Sequence, residues 1–203
     1  LLASIRPPSE LLLGIIAAAG LAPGLLLAVP AGMLADRYDR SRLLVVADLA
    51  RAMVMAAGAL ALLIGDLPGA ALAVITFLIG AGETVFVTAS QSAVPSYVAP
   101  SQLDHANGRL QLVDDVGREF VGPPLGSLVF RLGTALPFVV DMVSYVVSAA
   151  MLTRLPTAAR RAADEAAPSV AMAPAWAFFR RSRPLVMLAG AMFILSLCGS
   201  GVI

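Results

Sequence analysis

The chain has 203 residues, 59% of them hydrophobic and only 13% charged, where a soluble domain carries about a quarter charged residues. A mean hydropathy of +0.88 and repeated long apolar runs place it among membrane proteins. A net charge of +1, with every basic residue an Arg, leaves no basic-aromatic stripe for nucleic acid, and a single cysteine, Cys198, with a single histidine, His105, excludes an internal disulfide, a cysteine zinc site and a histidine cluster.

A helix that crosses a bilayer needs about 17 to 25 mainly apolar residues. Residues 1–5 read as the tail of an earlier helix, and runs at 11–33, 43–64, 70–92, 109–131 and 135–153 read as crossings, with a further one at 185–203. Short connectors rich in turn residues separate them: Arg6 to Glu10, Gly65 to Gly69 and Arg131 to Gly133. The start at Leu1, with no charged flank leading into an apolar core, is not a signal peptide. The stop at Ile203 within an apolar run makes a fragment the expectation.

Arginines set the orientation. Arg37, Arg40 and Arg42 lie in loop 34–42, and Arg154, Arg160, Arg161, Arg180, Arg181 and Arg183 in loop 154–184, against Arg6 and Arg131 on the other side. The positive-inside rule therefore assigns loops 34–42, 94–108 and 154–184 to the cytoplasm, with the protein multi-pass in the inner or plasma membrane. Within loop 154–184, Trp176, Phe178 and Phe179 beside arginines suit a helix at headgroup level, or a plain membrane-flanking anchor. The expected organisation is a helical bundle over 1–153, a cytoplasmic linker over 154–184, and the first helix of a second bundle over 185–203.

After the first full crossing comes Gly32-Met33-Leu34-Ala35-Asp36-Arg37-Tyr38-Asp39-Arg40-Ser41-Arg42-Leu43-Leu44. It resembles the loop between helices two and three of the major facilitator superfamily, G-x-L-a-D-R-x-G-R-[RK]-x-x-L, with Asp39 in place of the second glycine and Ser41 in place of the second basic residue. Gly122-Pro123-Pro124-Leu125-Gly126-Ser127 is similar to the G-P-x-x-G-G element of helix five in the family's antiporters, a helix-packing motif carried by Gly122, Pro123 and Gly126. The stretches ending at Arg51, at Ala106-Asn107-Gly108 and around Asp141 resemble the enterobactin-exporter-like branch, which exports siderophores and drugs.

The resemblance implies an all-α membrane protein: a partial facilitator bundle with the tail of helix one, helices two to six, and helix seven. It implies a secondary transporter that exports small molecules by alternating access, with protons as coupling ion, the lipid bilayer as surroundings, no cofactor, and a monomer when full length. It makes Gly32, Asp36, Arg37, Arg40, Asp48 and Arg51 a cytoplasmic gate. Gly32 would let two helices approach closely, and Asp36 would favour a neighbouring helix N-terminus. The plainer reading keeps the arginines as positive-inside anchors, and Asp48 with Arg51 as a packing pair.

Ionisable groups at bilayer depth cost at least about 2.5–3.5 kcal/mol on insertion scales, so each calls for a reason. Glu83, Asp115, Arg118, Glu119 and Asp141 are the candidates for proton coupling or for the substrate cavity. Arg118 can pair with Asp114 or Asp115 at helical spacing, and Gln111, Asp115, Arg118, Gly122 and Gly126 share one face of a regular helix. The alternative is a structural set of ion pairs holding helices in register. A non-transporting sensor or scaffold that kept this topology is the competing function. No enzyme site is assembled: Gly199-Ser200-Gly201 is not a nucleophile elbow, the methionines are scattered, and the chain has no Lys for a phosphate loop.

Overall fold

The structure, a computed structural model, describes residues 10–65 and 67–154, without the side chains of Ser96 and Arg118. The expected helix tail at 1–5, the linker beyond Arg154 and the crossing at 185–203 lie outside the described residues. The described chain is helical throughout: α1 (Glu10–Arg37), α2 (Arg40–Ile64), α3 (Gly69–Tyr97), a short 3₁₀ turn at Pro100–Gln102, α4 (Leu103–Asp115), a π-helical turn at Val116–Val121, α5 (Gly122–Leu132) and α6 (Leu136–Leu152).

Three helices, Glu10–Arg37, Arg40–Ile64 and Gly69–Pro95, are long and apolar enough to cross a membrane. At 1.5 Å per residue a helix the length of α1 reaches about 42 Å, more than the hydrocarbon core of a bilayer. The burial pattern inverts that of a water-soluble bundle. The buried hydrophobic residues are alanines at 31, 35, 47, 52, 59, 89, 93 and 149, joined by Leu44, while Leu25, Ile64 and Leu11 are more than 70% exposed. In lipid a large aliphatic side chain gains nothing by turning inward, so small residues occupy the contacts and let backbones approach.

The principal packing runs α1 on α3, with α2 on both α6 and α3. Backbones of α1 and α3 come close at Gly80, where an added Cβ would stand 3.0 Å from the carbonyl oxygen of Gly20 and 3.1 Å from Pro23, and an added Cβ on Gly69 at the start of α3 would run into the Leu12 side chain. At Gly32 an added Cβ would meet nothing within 4 Å. The close approach expected of Gly32 is made instead in the middle of α1, because Gly20 and Pro23 are the residues that α1 turns to α3. Threonine hydroxyls in α3 bond back to their own helix, Thr76 to the Leu72 carbonyl, Thr84 to Gly80 and Thr88 to Thr84, which satisfies them inside an apolar medium.

The turn between α1 and α2 needs no glycine. Asp39 has φ −53° and ψ 113°, and its carboxylate accepts from the amides of Ser41 at 3.0 Å and Arg42 at 3.2 Å, capping α2. Asp36, the residue expected to favour a neighbouring helix N-terminus, is exposed at the end of α1; the aspartate three positions later does the capping. Replacing Asp39 with Ala is expected to lower stability by about 0.5–2 kcal/mol, read as the thermal unfolding midpoint in detergent. Asn at this position should lose less, and an unchanged midpoint for the Ala variant would show that the cap contributes nothing.

The expected crossing at 109–131 is not one regular helix. Pro123 and Pro124 lack the amides that would bond to the carbonyls of Glu119 and Phe120, and their rings crowd the preceding turn. The backbone widens there into the π turn, with the Gly122 amide bonded to the Gly117 carbonyl. An added Cβ on Gly122 would come to 2.9 Å from that carbonyl oxygen, whereas one on Gly126 would meet nothing. Gly122 therefore serves its own helix, and the extra residue in the turn rotates Gly122 and Gly126 off the face that Gln111 and Asp115 share.

Candidate functional site

α2 carries Asp48 and Arg51 one turn apart, on the side that meets α3 and α6. Asp48 is 1% exposed and Arg51 is 7% exposed, and the Arg51 guanidinium is ion-paired with Asp48 Oδ1. The planar cation lies between two aromatic rings, with its Cζ 4.7 Å from the centroid of Phe86 on α3 and 4.5 Å from that of Tyr145 on α6. A cation so placed gains from both ring faces, and the gain grows as water is excluded. One side chain thus ties three helices together.

The neighbours are placed by helical spacing. Gly82 precedes Phe86 by four residues on α3, and an added Cβ there would stand 2.6 Å from Arg51 Cγ. Its missing side chain is the channel through which the aliphatic stem of Arg51 passes. Asp141 precedes Tyr145 by four residues on α6, so both lie on one face of that helix. Three helices therefore meet at the Arg51 guanidinium: α2 brings it with Asp48, α3 brings Phe86 and α6 brings Tyr145.

Two buried atoms in this group, Asp48 Oδ2 and Arg51 Nε, have no hydrogen-bond partner. Buried polar atoms are nearly always bonded, and an orphan acceptor and donor on neighbouring residues mark a place able to take a water. Among the described residues no three His, Cys, Asp or Glu side chains are grouped to hold a metal ion.

The other sequence candidates fall elsewhere. Asp115 closes α4 and Glu119 lies in the π turn, both exposed, on a helix whose contacts with the rest of the bundle are few. The pairing expected of Arg118 lies outside the described side chains. Asp36 and Arg37 are exposed at the end of α1, and Arg40 begins α2. Asp48 and Arg51, grouped by sequence with that gate, are buried between Phe86 and Tyr145, whereas Glu83 is half-buried on α3 and Asp141 is exposed on α6. Sequence reasoning missed Gly82, Phe86 and Tyr145. The one signal available was their four-residue spacing: Phe86 four beyond Gly82, and Tyr145 four beyond Asp141.

A family model described as Major Facilitator Superfamily matches residues 4–203. No match was found among the curated proteins or among the solved structures.

Proposed function

Because the chain belongs to the major facilitator superfamily, a family of membrane transporters rather than enzymes, we propose that it takes part in proton-coupled export of small molecules, of the drug or siderophore-like kind, by alternating access. The protein is a multi-pass membrane protein. In this reading it lies in the plasma membrane as a monomer, with the arginine-rich loops in the cytoplasm, and belongs to the enterobactin-exporter-like branch. The loop from Gly32 to Leu44 is the gate on the cytoplasmic side.

The buried cluster around Arg51 supports this reading most directly. A charged pair with orphan atoms, inside helices otherwise packed through alanine, is costly where no task requires it. Glu83 and Asp141 exchange the proton. When both are ionised they compete with Asp48 for the guanidinium; when one is neutral, Arg51 settles on Asp48. Because Arg51 also touches α3 and α6 through aromatic rings, a change in its pairing is a change in how three helices pack, which is what rocking between two states needs. In this reading Asp115 and Glu119, exposed on α4 and the π turn, face the substrate path rather than the Arg51 cluster.

Vesicles holding the full-length protein, driven by a pH gradient and followed with ethidium as a probe cation, test this. Glu83→Gln and Asp141→Asn should each reduce pH-driven ethidium transport to the level of empty vesicles, with membrane insertion unchanged. The same loss is expected of Asp115→Asn. Wild-type rates in both Glu83→Gln and Asp141→Asn would remove the cluster from coupling.

A further inference from the structure

Away from the Arg51 cluster, the end of the bundle that carries the arginine-rich loop holds a cavity of about 950 Å³. It opens between the end of α3, the start of α4 and the adjoining ends of α2 and α6. Its wall is divided by chemistry. Its charged and most polar groups, Gln102, His105 and Arg109, come from α4 and the turn before it, and Leu44, Val94 and Leu152 come from α2, α3 and α6, with the Ser90 and Tyr97 hydroxyls among them.

His105 and Arg109 are four residues apart and so stack on one face of α4. Arg109 lies about 9 Å along α4 from its first residue, exposed at the start of the apolar run 109–131. It has no ion pair or hydrogen bond with any described residue, and no carboxylate lines the cavity. The rim is held in place by a 3.1 Å hydrogen bond between the Ser41 and Tyr97 hydroxyls, which links the start of α2 to the end of α3.

We propose that this cavity is a binding site for an anionic phospholipid of the leaflet it faces, the cytoplasmic one in the orientation proposed above. The phosphate group lies against Arg109 and His105, and the first part of an acyl chain lies along Leu44, Val94 and Leu152. Charge complementarity selects this occupant. A cationic substrate meets a basic wall, a free inorganic anion leaves the apolar side uncovered, and a zwitterionic lipid brings a second cation to a site that has no acid for it. Basic pockets between membrane helices at the cytoplasmic side suit such headgroups.

The test uses the full-length protein, purified in detergent and offered phosphatidylglycerol and phosphatidylcholine in equal amounts, with bound lipid counted by native mass spectrometry. Wild type should retain phosphatidylglycerol in preference to phosphatidylcholine. Arg109→Gln should lose that preference, Arg109→Lys should keep most of it, and Arg131→Gln, at the far end of α5, should be indistinguishable from wild type. Equal retention by wild type and Arg109→Gln overturns the proposal, whatever segment or second copy fills the groove instead. Displacement of the lipid by inorganic phosphate alone, with no need for acyl chains, also overturns it, because the site then reads an anion rather than a lipid. Should Arg109→Gln fail to fold, His105→Gln and Val94→Glu carry the comparison. Both should weaken phosphatidylglycerol retention, and no change in either counts against the site.

Discussion

Replacing Arg51 with Ala is expected to destabilise the protein by about 3–5 kcal/mol, the range for breaking a buried pair by removing one partner. The reason lies with what remains. Asp48, 1% exposed and paired through Oδ1 to the guanidinium, would be left as a buried carboxylate beside a hole between Phe86 and Tyr145. Some of the loss is packing, since the Arg51 stem fills the space over Gly82. Thermal unfolding in detergent, with the yield of membrane-inserted protein as a second readout, measures the effect. Lys at the same position should recover only part of it, because an ammonium cannot lie flat between two rings. The double change of Asp48 to Asn with Arg51 to Met should come closer to wild type than Arg51→Ala alone, since it removes the charge along with its partner. A wild-type melting point for Arg51→Ala would mean that the cluster does not hold α2, α3 and α6 together.

Gly82→Ala is expected to cost about 1–3 kcal/mol, the usual range for overpacking a filled interior. The added methyl would sit 2.6 Å from Arg51 Cγ, and the guanidinium cannot swing away without leaving both aromatic faces. This prediction has an internal control. In a protein already carrying Arg51→Ala, the same glycine change should cost little or nothing, because the clashing stem is gone. A double-mutant cycle in detergent unfolding therefore should show strong coupling between the two positions. Additive effects would place the cost of Gly82→Ala in the helix itself and refute the packing explanation.

How much of this was legible beforehand differs between the fold and the site. Apolar length is a local property, so runs expected at 11–33 and 43–64 appear as Glu10–Arg37 and Arg40–Ile64. The bilayer thickness that sets them acts on each segment separately. The turn after Arg37 was nearly as readable, since an aspartate just before a helix caps it whatever surrounds it. The run at 109–131 was harder. Its two adjacent prolines were visible, but the π turn they produce shifts every residue beyond it around the helix axis, and regular spacing could not anticipate that.

What the sequence by itself determined is that the chain is an all-helical membrane protein, where its first two described helices lie, and that a few charges would be costly within the spans; the expected loop 94–108 instead holds the end of α3, a 3₁₀ turn and the start of α4. What only the tertiary structure decided is which of those charges meet. A membrane helix lacks the apolar stripe that tells a soluble helix which face to bury, because every face of it is apolar; α1 has almost no amphipathic bias at all. Its rotation is set by where small residues allow two backbones to touch, as Gly20 and Gly80 do for α1 and α3. That rotation is a property of pairs of helices. It is why Asp48 and Arg51, close in sequence to the gate, belong in space with Phe86 and Tyr145.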